Sequence, residues 1–321
     1  MSLSPSTAYL LISHGSRDPR HQAAMNRLAQ LVRDCLQQVS LTTAQPQFRS
    51  STNSKLHEVS AGQLIAIAPS PKQSQQPSPL IPSSTTKTSY IEREVSQPYP
   101  IVGTAYLELA PLPLHQQIYQ FCLRIKAAGI ERLQVVPVFL LQGVHVAEDI
   151  PAEIALARQE LGSTFVQIDL CRYLGSHPGL GSLLQAKMAA VPSESRLILA
   201  HGSRRPGGNR PVEVLAQSLG ATAAFWSTPG HLENQVVKLM QTGCQRLTIL
   251  PYFLFTGGIT DAITRVMEEL AERFPKINFR LLPPLGATPE IANLVAEIAL
   301  NCCSQGSETV VKPMKRTALR H

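Results

Sequence analysis

The chain has 321 residues, a hydrophobic fraction of 44% and a formal net charge of +7, which is compatible with two globular domains of ordinary size. No apolar stretch reaches the roughly 18 residues of a membrane span, and no basic region precedes an apolar signal segment. We therefore expect a cytoplasmic protein with no membrane partner. Nucleic acid is a weak candidate, because only 5% of the residues are aromatic and no basic stripe interleaves with them. The positive charge favours an anionic ligand.

The six cysteines show neither a CxxC pair nor a spacing typical of zinc sites. Such scattered residues predict reduced thiols in a reducing compartment. They are Cys35, Cys122, Cys171, Cys244, Cys302 and Cys303.

The first ordered stretch reads as a strand, a loop and a helix. Residues 9–13 (YLLIS) form an apolar run typical of a buried parallel strand. The loop His14-Gly15-Ser16-Arg17 follows. The next helix places its apolar side chains on one face, namely Met25, Leu28, Val32, Leu36 and Val39.

From about residue 41 to residue 100 the chain is rich in Ser, Thr, Gln and Pro. Such a composition cannot bury enough apolar surface to offset the entropy of ordering, and we interpret it as a disordered insertion. A short apolar patch at residues 64–68 interrupts it and is a candidate displaced end of the first domain.

After the insertion, strands and helices alternate, which predicts parallel pairing with right-handed crossovers. The predicted strands and helices are 103–109 (strand), 114–128 (helix), 133–141 (strand), 150–161 (helix) and 165–172 (strand), followed by LGSHP at 174–178.

The chain then repeats itself. Residues 197–200 and the loop beginning at His201 repeat the first strand and its HGSR loop, and the later landmarks recur at offsets of 114 (Phe139 to Phe253) and 111 (Pro178 to Pro289). The offset from His14 to His201 is 187, and the excess of about 70 residues is close to the length of the Ser/Pro/Gln-rich stretch.

The repeat predicts a division of the chain into an N-terminal repeat that contains the insertion (1–190), a C-terminal repeat (191–300) and a basic tail (301–321). Each repeat is expected to form a small four-stranded parallel domain with its own core.

Three residues of the first repeat lie at or near the carboxyl ends of predicted strands: His14, Glu108 and His145. Open parallel sheets bind ligands at that edge, so the three side chains could converge on one cleft. Two imidazoles and a carboxylate suit a divalent first-row metal, and an imidazole can also accept a proton near neutral pH. Taken singly, each residue has an ordinary structural explanation: His14 as a helix cap, Glu108 as an exposed loop acid, and His145 as a histidine hydrogen-bonded to a backbone carbonyl.

The second repeat keeps His201 but has Ser227 in place of Glu108 and Ile259 in place of His145. We therefore assign the metal chemistry to the first repeat and prefer a structural role for His201. The remaining histidines rank lower. His177 is interpreted as structural, and no metal-ligand spacing favours His21, His57, His115 or His231.

The segments HGSR, YLEL (106–109), PVFLLQGVHVAEDIP (137–151) and LGSHP, in this order and then doubled, resemble the sirohydrochlorin chelatases of cobalamin and siroheme synthesis, in their long two-domain form. The resemblance implies a class II chelatase fold: α/β, with two tandem flavodoxin-like domains, each a four-stranded parallel sheet flanked by helices, and a cleft between them. It implies insertion of cobalt or ferrous iron into sirohydrochlorin, with His14, His145 and Glu108 as catalytic residues and metal ligands.

We expect the carboxylates of sirohydrochlorin to be held by Arg side chains and backbone amides of the HGSR and QGVH loops. We expect no permanently bound cofactor and a monomer. The expected substrate-binding residues are Ser13, Gly15, Ser16, Arg17, Gly143 and Val144.

Two alternatives remain open. A non-catalytic tetrapyrrole or metal carrier would use the same cleft. A phosphate-handling enzyme is disfavoured because the chain has no GxxxxGK[ST] loop, and because histidine phosphatases have the order RHG where this chain has HGSR. Four arginines after the HGS loops are candidate partners for ligand carboxylates: Arg17, Arg20, Arg204 and Arg205.

Overall fold

The computed structural model describes residues 7–44, 100–162 and 166–302. The predicted insertion from residue 45 onward, including the apolar patch at 64–68, lies outside the described residues, as does the predicted basic tail from residue 303 onward. Within the described ranges, no helix is both long and apolar enough to cross a membrane.

The first half is built on a four-stranded parallel sheet with the order β2-β1-β3-β4. Its strands are β1 (Thr7–Ser13), β2 (Val102–Tyr106), β3 (Arg132–Pro137) and β4 (Gln167–Leu170). Strand β3 was predicted to reach residue 141, but it ends at Pro137, and only the amide of Val138 continues the pairing, by a 2.7 Å hydrogen bond to the carbonyl of Ile12. The residues after Val138 are therefore free to leave the sheet.

Four helices flank this sheet: α1 (Pro19–Ala44), α2 (Leu114–Ala127), α3 (Ile150–Leu161) and α4 (Gly179–Ala189). Helix α1 continues into the segment that was predicted to begin the insertion. A π-helical turn, His145–Asp149, leads directly into α3, so His145 stands at the start of a helical segment and not in an extended loop.

The second half repeats this arrangement with the strand order β6-β5-β7-β8. Its strands are β5 (Ser195–Ala200), β6 (Thr222–Phe225), β7 (Arg246–Pro251) and β8 (Asn278–Leu281), and its helices are α5 (Arg210–Ser218), α6 (His231–Gln241), α7 (Gly258–Arg273) and α8 (Pro289–Leu300). Two four-stranded parallel sheets flanked by helices confirm the predicted fold class. The boundaries at residues 190 and 300 stay a prediction.

Each half buries a hydrophobic cluster of its own, and the two halves also share a third cluster, which was not predicted. Helix α8 packs against α1 and α4 of the first half, and one continuous cluster of buried side chains includes Leu28 and Val32 of α1 with Ile291 and Val295 of α8. Because α8 is buried on several sides, it cannot belong to one half alone. The halves therefore depend on each other for burial of apolar surface.

Helix α8 also explains why the prediction of reduced thiols was wrong for two cysteines. It brings Cys302 next to Cys171, which follows β4, and the two form a disulfide with their Cα atoms 5.0 Å apart. The residues are 131 positions apart in the chain, so no local pattern reveals the pair. Cys35, Cys122 and Cys244 are free, as predicted.

Candidate active site

Three strands of the first sheet place the predicted site residues. Strand β1 pairs in parallel with both β2 and β3, so their carboxyl ends meet at one edge of the sheet. His14 follows β1 directly, Glu108 lies two residues beyond β2, and His145 begins the turn that follows β3. The amide of Glu108 donates a hydrogen bond to the carbonyl of His14 at 2.8 Å, so these two backbones remain paired beyond the strands.

The side chains of His14, Glu108 and His145 converge. Each offers one ligand atom, and these atoms lie within 4.8 Å of one another. His14 Nδ1 is 3.6 Å from Glu108 Oε2, and the two imidazole rings meet edge to face with their centroids 4.7 Å apart. Ligand atoms bound to one divalent ion lie about 2 Å from it, hence about 3–4 Å from each other. Small side-chain rotations would bring this cluster to that spacing.

The cluster is open to solvent on one side, since the side chains of His14 and Glu108 are 49% and 48% exposed. Imidazole and carboxylate ligands suit both divalent cobalt and divalent iron. The arrangement can therefore bind an exchangeable ion and present it to a second molecule.

Asp149 supports this cluster through a contact with His145 that was not predicted from the sequence. Its Oδ2 lies 2.7 Å from Nδ1 of His145, across one turn of helix. A carboxylate in this position favours the tautomer protonated at Nδ1, which leaves the Nε2 lone pair free for a metal. The i, i+4 spacing of His145 and Asp149 in the sequence was a usable signal for this contact.

The HGSR loop is held close to the loop of Glu108. Gly15 has a φ of +100°, and a Cβ built there would lie 1.9 Å from the carbonyl oxygen of Glu108. Only glycine allows this close approach. Ser13 beside it is buried, and its Oγ has no hydrogen-bond partner among the described residues. The loop therefore brings polar groups and backbone to the same edge as the cluster.

A cleft of about 500 Å³ opens beside His14, between the two halves. Its walls are mainly apolar and come from residues 138–140 of the first half and residues 252–255 of the second. Of the predicted substrate-binding residues, Ser13, Gly15 and Ser16 line the cleft, whereas the lining does not include Arg17, Gly143 or Val144.

Two histidines that ranked low in the sequence analysis also line this cleft, His21 and His201. His21 lies in the first turn of α1, with its ring centroid 5.4 Å from that of Phe255. Burial, and then the nearby His14, lower the pKa of His21, while Asp18 partly opposes them. The sequence signal for a role of His21 in the cleft was its position shortly after the HGSR loop, whose first three residues line the cleft. His201 was assigned a structural role, yet its side chain faces the cleft because β5 ends as β1 does.

Of the four arginines proposed as partners for ligand carboxylates, Arg20 is already paired within the protein. Its Nη2 lies 2.6 Å from carboxylate oxygens of Asp18 and of Asp261, which comes from the second half. Hydrogen bonds from Arg20 lower the pKa of both aspartates. Arg17 is exposed and makes no ion pair with the residues that the structure describes.

The other histidines take structural positions in the part of the chain that the structure describes. His177 accepts a hydrogen bond from the amide of Gly179 at the start of α4, and its Nε2 lies 3.1 Å from Glu297 of α8. His115 lies 2.9 Å from Glu153 and ties α2 to α3. His57 lies outside the described residues.

The sequence itself is similar to those of a known family. It matches the CbiX family model twice, over residues 84–191 and again over residues 195–301. The chain belongs to the CbiX family. This membership confirms the resemblance to the sirohydrochlorin chelatases that the sequence motifs indicated.

Curated relatives of this CbiX chain are named for different metals. A sirohydrochlorin cobaltochelatase of Priestia megaterium is 24% identical over 228 residues, covering 66% of this chain and 71% of the relative. A sirohydrochlorin ferrochelatase of the same organism is 25% identical over 210 residues, covering 60% of this chain and 76% of the relative.

Among solved structures, SirB from Bacillus subtilis with Fe3+ aligns with a TM-score of 0.60 and 20% identity, over 92% of this CbiX chain and 95% of its own. SirB from Bacillus subtilis subspecies spizizenii in complex with cobalt aligns with a TM-score of 0.58 and 18% identity, over 94% and 97%. At these identities the likeness shows the fold.

Proposed function

We propose that this chain inserts divalent cobalt or ferrous iron into sirohydrochlorin, as a chelatase of cobalamin or siroheme biosynthesis. The observation that supports this function best is the convergence of His14, Glu108 and His145 beside an apolar cleft between the halves. Family membership and the names of the relatives point to the same reaction class.

The cleft suits a flat macrocycle with a charged rim. Residues 138–140 and 252–255 offer apolar surface to the two faces of the ring. The exposed Arg17, which has no ion-pair partner among the described residues, and the backbone amides of the HGSR loop are suited to the carboxylates at its edge. The volume of about 500 Å³ lies within the range of small-molecule sites.

The histidines divide the metal and proton chemistry between them. His145, oriented by Asp149, and His14 present the ion together with Glu108. The inner nitrogens of the ring must lose two protons as the ion enters; a neutral imidazole accepts one near physiological pH, and the other leaves to water at the solvent-exposed side of the cluster. His21 is such an acceptor, because its lowered pKa keeps the ring neutral and it lines the same cleft.

The test is anaerobic absorbance spectroscopy of sirohydrochlorin with the purified protein and either cobalt or ferrous iron. We expect many turnovers per protein with at least one metal, and we expect His145→Ala to lose most of the insertion rate while its affinity for the tetrapyrrole stays within about threefold of wild type. His231→Ala is the matched control, since it removes an imidazole from α6, outside the cleft lining.

Binding of the tetrapyrrole without turnover by the wild-type protein would reject the chelatase and favour a carrier. Equal loss of binding and insertion in His145→Ala would reject the role of His145 as a metal ligand. The relative rates with the two ions would assign the metal.

A further inference from the structure

The two sheets differ at one row of residues near their amino-terminal edge. In the second sheet, Arg196 of β5, Thr248 of β7 and Arg280 of β8 lie side by side in register. The corresponding row of the first sheet, in the same register, is Tyr9, Gln134 and Asp169. The second sheet thus has Arg280 where the first has the acid Asp169, and Arg196 where the first has the neutral Tyr9.

The exchange removes an ion pair that the first sheet makes. There, Arg132 of β3 lies 2.6 Å from Asp169 of β4. Its counterpart in β7 is Arg246, but the position of the acid is now held by Arg280, so this cross-strand pair cannot form. Arg246 instead lies 3.2 Å from Glu194, which precedes β5. Among the described residues, Glu194 is the one carboxylate that forms an ion pair with any of the three guanidinium groups of Arg196, Arg246 and Arg280.

A pocket of about 380 Å³ lies at this row, lined by Arg246, Thr248, Asn278, Arg280 and residues 190–192. Thr248 Oγ1 and the Nε of the neighbouring Arg196 are buried and have no hydrogen-bond partner among the described residues, and the same holds for Oγ of Ser193. Buried polar groups without partners are rare in folded proteins. Of these three residues Thr248 lines the pocket, together with Arg246 and Arg280.

We propose that this pocket, termed the β5-β7-β8 pocket, is an oxyanion-binding site for a phosphate or carboxylate group. Arg280 and Arg246 supply the charge at its walls, and Thr248 supplies a polar group to its lining, with Arg196 in register beside Thr248. Guanidinium groups bind such anions with paired, charge-assisted hydrogen bonds. The pocket lies toward the amino ends of the strands of the second sheet, whereas the cleft lies at the carboxyl ends, so it is a separate site.

The experiment is a titration of the full-length protein with inorganic phosphate, followed by thermal unfolding and by 31P NMR line broadening, with sodium chloride balancing the ionic strength. A parallel titration uses citrate, so that a preference for phosphate or for carboxylate is read directly. The variant is Arg280→Gln. The control is Arg210→Gln, which removes one exposed arginine of the same half outside the pocket lining.

We expect saturable stabilisation of wild type and Arg210→Gln by at least one of the two anions, and an apparent affinity at least about tenfold lower in Arg280→Gln. Arg280→Asp provides a second variant, because it places an acid where the first sheet has Asp169, the ion-pair partner of Arg132, the counterpart of Arg246. It should lose anion binding without losing stability. A stabilisation that never saturates, or that is equal in Arg280→Gln and Arg210→Gln, would overturn the proposal. Chelatase activity is not a readout in this test, so its result is independent of the proposed function.

Discussion

Replacing Gly15 by alanine tests whether the HGSR loop and the loop of Glu108 form one rigid unit. The added methyl group would lie 1.9 Å from the carbonyl oxygen of Glu108 and 2.9 Å from its carbonyl carbon. Both are backbone atoms, so no side-chain rotation relieves the overlap. At a φ of +100° the alanine backbone would also be strained.

The size of the effect follows from these two terms. A positive φ costs a residue other than glycine about 1–2 kcal/mol, and forcing a methyl group into an occupied space costs about 1–3 kcal/mol. We therefore expect Gly15→Ala to lower the free energy of unfolding by about 2–5 kcal/mol. Gly129→Ala is the control, because Gly129 has a φ of +76° but no atom within 4 Å of the added Cβ. It should lose only about 1–2 kcal/mol.

Urea unfolding followed by circular dichroism measures both variants, and cobalt titration of the folded proteins measures the cluster. Because the backbone of Glu108 must move away from the new methyl group, Gly15→Ala should also bind cobalt more weakly than Gly129→Ala. If the two variants are equally stable and bind cobalt equally, the loops are not coupled as the structure indicates.

Three further predictions concern the contacts around this site. Asp149→Ala should weaken cobalt binding by about 10–100-fold in calorimetric titrations, because His145 loses its orienting partner. Glu148→Ala is the control and should leave cobalt affinity unchanged. Equal effects of the two substitutions would reject the role of Asp149 in orienting His145. Cys171→Ser should lower the free energy of unfolding by about 2–5 kcal/mol in urea without reductant, and Cys35→Ser, at a free thiol, serves as the control. Arg20 lowers the pKa of its two aspartate partners, so the stabilisation from these ion pairs is present above pH 4 and is lost as the pH falls below it. Between pH 7 and pH 3 the unfolding temperature of Arg20→Gln should therefore fall less steeply than that of wild type.

Much of the fold followed from local patterns. The apolar run at residues 9–13 and its repeat at 197–200 predicted buried parallel strands, and the structure has β1 and β5 there. Parallel pairing then placed His14, Glu108 and His145 at one edge of the sheet without any knowledge of contacts. Strand periodicity and topology sufficed for these features.

The features that the sequence did not reveal depend on contacts between distant segments. The disulfide and the shared core both require α8 to pack against the first half, which no periodicity indicates. His21 lines the cleft because the second half places Phe255 opposite it. The predicted strand β3 was too long because the apolar residues after Pro137 line the cleft. An apolar run alone does not distinguish a buried strand from the wall of an apolar cleft.

The packing of α8 against α1 has a consequence for how the polypeptide is made. The apolar face of α1 emerges from the ribosome before strands β2 to β8 and before its partner helix α8, because all of these follow α1 in the chain. Until then Leu28, Val32 and their neighbours have no native partner helix, which is the kind of exposure that recruits chaperones. The N-terminal half produced alone should therefore aggregate or self-associate, and supplying the C-terminal half as a separate chain should rescue its solubility.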